Sequence, residues 1–248
     1  TITKRLFDVD VVPADGEVQV WNPDVRYFKI RDAAGEDVAS FYLDPYSRPA
    51  DKRGGAWMAD CISRRRLPDS GIQNPVAFLT CNFIPPVGAK PSLLTHDDVV
   101  TLFHEFGHGL HHLLTQVDEP AVSGISGVPW DAVELPSQFL ENWCWETEAL
   151  NQISGHYETG ERLPPALLER MRGARNFQSA MQMLRQIEFS VFDMALHEGS
   201  PSTSVEELQT RIDAVRKEVA VLIPPAFNRF QNSFSHIFAG GYAAGYYS

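Results

Sequence analysis

Apolar and polar residues alternate along Val25–Ile30 and again along Val38–Leu43, with Ala33-Ala34-Gly35-Glu36 between them as a turn, so this stretch predicts a β-hairpin. Pro45–Pro49 and the Gly54-Gly55 pair predict a loop. The run PVAFLTCNF, residues 75–83, is short and apolar and is ended by Pro85, Pro86 and Gly88, which predicts a strand. An edge strand open to an extended peptide and a plain core strand fit that run equally.

From Thr95 the period lengthens to that of a helix. Thr95 and Asp98 form a capping-box start, and Val99, Val100, Leu102, Phe103 and Phe106 give the segment a buried side as far as about Thr115. SGISGVP (Ser123–Pro129) reads as a loop, either bordering a channel or merely connecting. A second helix is predicted from Asp131–Pro136 to about Ile153. A third opens at Pro164-Pro165, is interrupted at Gly173 and continues to about Glu198, with Phe177, Met181, Leu184, Ile187, Phe189 and Phe192 at core spacing. Ser204 and Glu207 cap a further helix that stops before Pro224-Pro225. Strands first and helices after them predict an α+β fold, mainly α-helical, with a small antiparallel sheet.

Composition narrows the function classes. The 248 residues are 44% hydrophobic and 21% charged, an ordinary globular balance. Lys plus Arg number 21 against 32 for Asp plus Glu, a net charge of -11, which argues against nucleic acid as a partner. The basic triplet Arg64-Arg65-Arg66 reads as a solvated turn rather than a phosphate site. The three cysteines are odd in number and lack CxxC spacing, as expected of reduced thiols in the cytoplasm. No apolar run approaches the ~18 residues of a membrane helix, and TITKRLFDVD has no apolar signal core. A cytoplasmic monomer without a membrane partner is the expectation.

The chemistry lies in His104-Glu105-Phe106-Gly107-His108, an H-E-x-x-H sequence. On a helix, residues four apart share a face about one turn apart, so both imidazoles can reach one Zn²⁺ at ~2.0–2.1 Å, with Glu105 beside them to deprotonate a water. Zinc rather than cobalt or manganese is inferred from the ligand type. A third histidine ligand would need glycine at His111 and histidine at Leu114, and neither condition is met. The remaining pattern takes a glutamate from the next helix. WDAVELPSQFLENW offers Glu134 and Glu141, seven apart and able to face the same way, and Glu146 and Glu148 read as solvent-facing. His111 and His112 extend the histidine face and read as residues packed or hydrogen-bonded near the site.

HEFGHGLHH, then WDAVELPSQFLENWCWE, then FSHIFAGGYAAGYYS closely resemble the thimet-oligopeptidase family of zinc peptidases, as do WNPDVRYFKIRD, FYLDPY, RGGAWMADC and NPVAFLTCNF earlier in the chain. The resemblance implies a zincin-like catalytic domain with one Zn²⁺ held by His104, His108 and Glu134, and Glu105 as general base. It implies Asp131 as a carboxylate orienting a ligand histidine, with Glu141 also outside the ligand set. His236, Tyr242 and Tyr246 in the glycine-rich tail would face the cleft, although an aromatic packing turn also fits them. The implied activity is hydrolysis of peptide bonds in short oligopeptides. Family members are much longer, with a helical N-terminal region as the other wall of a channel, and their pattern continues past GYYS to another tyrosine. Residues 1–248 are therefore expected to be the catalytic region of a longer protein. The competing expectations are a zinc- and peptide-binding piece without full turnover and a structural zinc site with a closed four-ligand shell.

Overall fold

A computed structural model describes residues 2–69, 71–202 and 204–247; Ser248, which closes the tail motif, lies outside them. The chain forms two compact units, residues 1–128 with 133–168, and residues 129–132 with 169–248.

The first unit opens with α1 (Ile2–Phe7) and then the strands β1 (Asp10–Pro13), β2 (Arg26–Arg31), β3 (Asp37–Tyr46), β4 (Trp57–Ile62), β5 (Arg65–Leu67), β6 (Gly71–Gln73) and β7 (Val76–Phe83). Five of them form one sheet in the order β1-β2-β3-β7-β4, and β5 pairs with β6. The hairpin that alternation predicts is β2–β3, with Arg26 opposite Leu43. One expectation is corrected here and one open choice is settled. The sheet is mixed, because β7 runs parallel to β3 and antiparallel to β4; the connection from β3 to β7 is long enough for the crossover that a parallel pair needs. The 75–83 run is an interior strand, and β4 takes the edge beside it. That edge strand was not legible because it shows no apolar–polar alternation in burial.

On one face of the sheet Ile30, Ala39, Phe41, Ala77 and Leu79 pack against Leu110 and Leu113 of α2 (His96–Leu113) and Leu140 of α3 (Leu135–Glu141). Thr95 caps α2, and both hydrogen bonds of its capping box with Asp98 are made. The second predicted helix is broken into α3, a 3₁₀ turn at Asn142–Trp145 and α4 (Thr147–Ile153). The Asn142 amide donates to the Gln138 and Phe139 carbonyls, and Glu146 is extended, so the ladder cannot continue. Within the arginine triplet, Arg65 and Arg66 are exposed, as expected, but they lie on β5 rather than in a turn, and their charges have partners. Arg64 and Arg66 reach Asp118 at 2.9 and 2.5 Å, and Arg65 donates to Gln73 at 3.2 Å.

α5 (Pro165–Ala174) carries the chain into the second unit, where α6 (Ser179–His197) and α7 (Val205–Val219) pack through Phe192, Ile212, Val215 and Ile237. Gln178, at φ 54°, separates α5 from α6. The expected apolar core face of α6 is corrected too. Phe192 is buried, but Phe177, Met181 and Ile187 are exposed, and Glu188 and Asp193 occupy the buried side. Glu188 is compensated there by Arg216 at 3.0 Å and Arg185 at 2.6 Å. No helix among the described residues is long and apolar enough to cross a membrane.

Candidate metal centre

α2 sets His104 and His108 one turn apart, their rings nearly perpendicular with centroids 5.0 Å apart. The residue between them that makes the site possible is Gly107. A Cβ there would lie 2.6 Å from both the Pro136 carbonyl oxygen and the Ser137 Cα, so glycine lets the first turn of α3 press directly onto α2. Glu134, the N-cap residue of α3, is thereby brought over the histidines. Its Oε2 lies 3.2 Å from His104 Nε2 and 3.1 Å from His108 Nε2. The fully buried Ser137 donates to the Glu134 carbonyl at 2.8 Å and lies 3.0 Å from its Oε2.

These three residues are the set of possible metal ligands among the described residues, with ligand atoms all within 4.8 Å of one another. A tetrahedral ion with bonds of ~2.0–2.1 Å has ligand–ligand edges of about 3.4 Å. The observed 3.1 and 3.2 Å edges lie just inside that value. Two imidazoles and one carboxylate, with no fourth protein ligand in the set, are the donor chemistry of an open zinc site.

Glu141 accepts a hydrogen bond from His104 Nδ1 at 2.7 Å, which leaves Nε2 as the ligand atom. His108 Nδ1 is buried without a hydrogen-bond partner among the described residues. Burial opposes charge on His104, but the hydrogen bonds to Glu134 and Glu141 overcome it and lift its pKa from 6.5 to about 10. A proton therefore sits where a cation would compensate the same carboxylates. Glu105 is buried, and that burial raises its pKa against the opposing charges of His104 and His108. The backbone of Met58, on edge strand β4, acts in the opposite sense and favours the charged carboxylate.

His111 is half-buried and outside the ligand set. His112 is fully buried, its Nε2 lies 3.0 Å from the Ile62 carbonyl at the end of β4, and its Nδ1 side is covered by Gly124. The 123–127 loop is thus packed onto α2, with the buried Ser123 donating to the Val117 carbonyl.

In the second unit, Asp131 accepts the Tyr247 hydroxyl at 2.8 Å, and the carboxylate on a ligand imidazole is Glu141 of the first. His236, Tyr242 and Tyr246 are brought together, with ring centroids 6.1–6.3 Å apart, and Trp130 stacks edge-on against Tyr242 at 4.9 Å. Gly107, Ser137 and Met58 were not found from sequence. Only the invariance of geometry at a helix–helix contact, which one sequence does not display, would have marked the first two.

The chain matches Peptidase family M3 over residues 1–248 and belongs to that family. It is 57% identical over 248 residues to oligopeptidase A of Escherichia coli (strain K12), covering all of this chain and 36% of that protein. It is 49% identical over 251 residues to the organellar oligopeptidase A of Arabidopsis thaliana, covering all of this chain and 32% of that protein. With dipeptidyl carboxypeptidase of Escherichia coli (strain K12) the identity is 36% over 236 residues, covering 94% of this chain and 34% of the relative. The chain thus spans about a third of the length of these curated relatives.

Proposed function

We propose that this chain is the zincin-like catalytic region of a zinc endopeptidase acting on short oligopeptides in the cytoplasm. The observation that carries the reading is the convergence of His104 Nε2, His108 Nε2 and Glu134 Oε2, beside the buried carboxylate of Glu105. A zinc ion held by these three residues would acidify a water and polarise a peptide carbonyl.

The rest falls to the chain's own groups. Glu105, whose burial favours its protonated form, takes the proton of the attacking water and delivers it to the leaving amine. Glu141 keeps the His104 imidazole in the tautomer that offers Nε2. Edge strand β4 receives the extended peptide by main-chain pairing. Pairing through the backbone tolerates varied side chains. On the resemblance alone, Tyr242, Tyr246 and His236 contribute hydrogen bonds to the developing oxyanion and to the substrate.

Glu105→Gln tests the reading. Zinc content should stay at one per chain by elemental analysis, while turnover of a fluorogenic peptide falls by roughly 10²–10⁴-fold, the scale of a lost general base. Turnover equal to the parent's would end the base assignment. Zinc bound with no turnover in the parent would favour the zinc- and peptide-binding alternative.

A further inference from the structure

The glycine-rich tail is held in place by a polar stripe on α6. Gln186, Ser190, Asp193 and His197 follow one another at spacings of four, three and four, so they share one face of that helix. Tyr246 donates its hydroxyl to Gln186 Oε1 at 3.1 Å, and Ser190 donates to the Tyr246 carbonyl at 3.0 Å. Between them stands Asp193, which is fully buried. Its Oδ1 accepts the N–H of Ala244 at 2.9 Å and its Oδ2 that of Tyr246 at 3.0 Å. His197 Nδ1 lies 2.9 Å from the same Oδ1. Ala244 sits at φ 56°, a left-handed conformation that an alanine adopts only where its surroundings impose it. The Asp193 carboxylate imposes it by capturing the amides on either side of Gly245.

We propose that Asp193 is a positioning residue for catalysis: its carboxylate fixes the 242–246 turn and so the placement of the Tyr242 and Tyr246 hydroxyls. Nothing in Asp193 itself need touch the substrate. The inference rests on the reading that the tail tyrosines serve the reaction. A carboxylate is required because both of its oxygens accept. In Asp193→Asn one of them becomes an NH₂ facing an N–H, with almost no change in volume.

The experiment has two arms. In the folded parent chain, native-state hydrogen exchange should show the Ala244 and Tyr246 amides protected and the exposed Ala243 amide not, with that protection lost in Asp193→Asn. In the zinc-loaded chain, Asp193→Asn should lower kcat by roughly a hundredfold with KM and zinc content little changed, the scale of a misplaced catalytic group. The same substitution should cost almost nothing further in a Tyr242→Phe/Tyr246→Phe background. Free exchange of both amides in the parent, or an undiminished Asp193→Asn loss in the tyrosine-free background, overturns the proposal. If Tyr242→Phe and Tyr246→Phe leave kcat untouched, it is the reading of the tyrosines that fails, and the exchange arm alone decides whether Asp193 holds the turn. The exchange of the parent also decides the matter if Asp193→Asn does not fold.

Discussion

Two charged clusters of the first unit lie on the two faces of one sheet, and they are built on opposite principles. Alternation along β3 turns Phe41 toward α2 and Asp44 away from it. Around Asp44, positive groups surround a single carboxylate. Arg48 grips it with both NH groups at 2.7 and 2.6 Å, Lys52 reaches it at 3.0 Å, and Trp21 Nε1 donates at 3.0 Å. Lys52 is further held by the carbonyls of Tyr46 and Cys81. The Asp44 and Lys52 side chains are 4% and 5% exposed, and both cations are paired with the one carboxylate. On the other face, His104 Nε2, His108 Nε2 and Glu134 Oε2 converge on a common point, and the His104 and Glu134 side chains are 27% and 21% exposed. The first cluster is finished by folding. The second, on the proposed function, is finished by a cation.

Removing one carboxylate from each cluster should separate these principles. Asp44→Ala leaves Arg48 and Lys52 uncompensated and should destabilise the chain by about 3–5 kcal/mol, equally with zinc and with chelator. Glu134→Ala should cost about 1.5–3 kcal/mol in chelator, the value of a hydrogen bond to a charged group. Its effect appears when metal is added, since the parent gains about 2.7 kcal/mol at a hundred times its zinc Kd and the variant gains none. Urea unfolding in both conditions measures all four values. Equal stabilisation of Glu134→Ala and the parent by zinc would remove the distinction between the clusters.

Acid and base should then act on different faces. Burial opposes the Asp44 charge, but Arg48, Lys52 and Trp21 bring its pKa below the usual 3.8, so its contribution is present above that value and lost as pH falls through the depressed one. His104 has the reverse sign. With its pKa raised from 6.5 to about 10, its contribution in chelator is complete below pH 6.5 and is lost as pH climbs toward 10. Zinc replaces that proton and should flatten the alkaline limb. The assignment fails if His104→Gln in chelator keeps the alkaline limb of the parent.

Much of the first unit's order was legible because local signals agreed with tertiary ones. The β2–β3 hairpin, the Thr95 cap and the interior strand at 75–83 each had a pattern set by burial or by a cap. The convergence of His104 and His108 was legible because a helix fixes what a spacing of four means. Glu134 needed the resemblance, since spacing alone left Glu141 equal to it. What stayed hidden depends on contacts between distant residues. β4 is an edge strand without alternation, and Gly107 is required by the backbone at Pro136 and Ser137. The polar stripe of α6 was masked by the apolar residues interleaved with it, several of which are exposed.

The smallest expected effect concerns which carboxylate orients a ligand. The resemblance assigns that task to Asp131, whereas the hydrogen bond from His104 Nδ1 is accepted by Glu141, at 2.7 Å, and Asp131 accepts the Tyr247 hydroxyl. Glu141→Gln keeps an acceptor for Nδ1–H but withdraws its charge. Zinc affinity should therefore fall by roughly tenfold, at the low end for a group supporting a ligand. The alkaline limb of the metal-free chain should also move to lower pH, because one of the carboxylates that raise His104 is gone. Asp131→Asn, measured beside it by competitive chelator titration, should leave both quantities near the parent. The reverse result, with zinc affinity sensitive to Asp131 and indifferent to Glu141, would show that His104 is oriented by packing against α3 rather than by the carboxylate hydrogen-bonded to it.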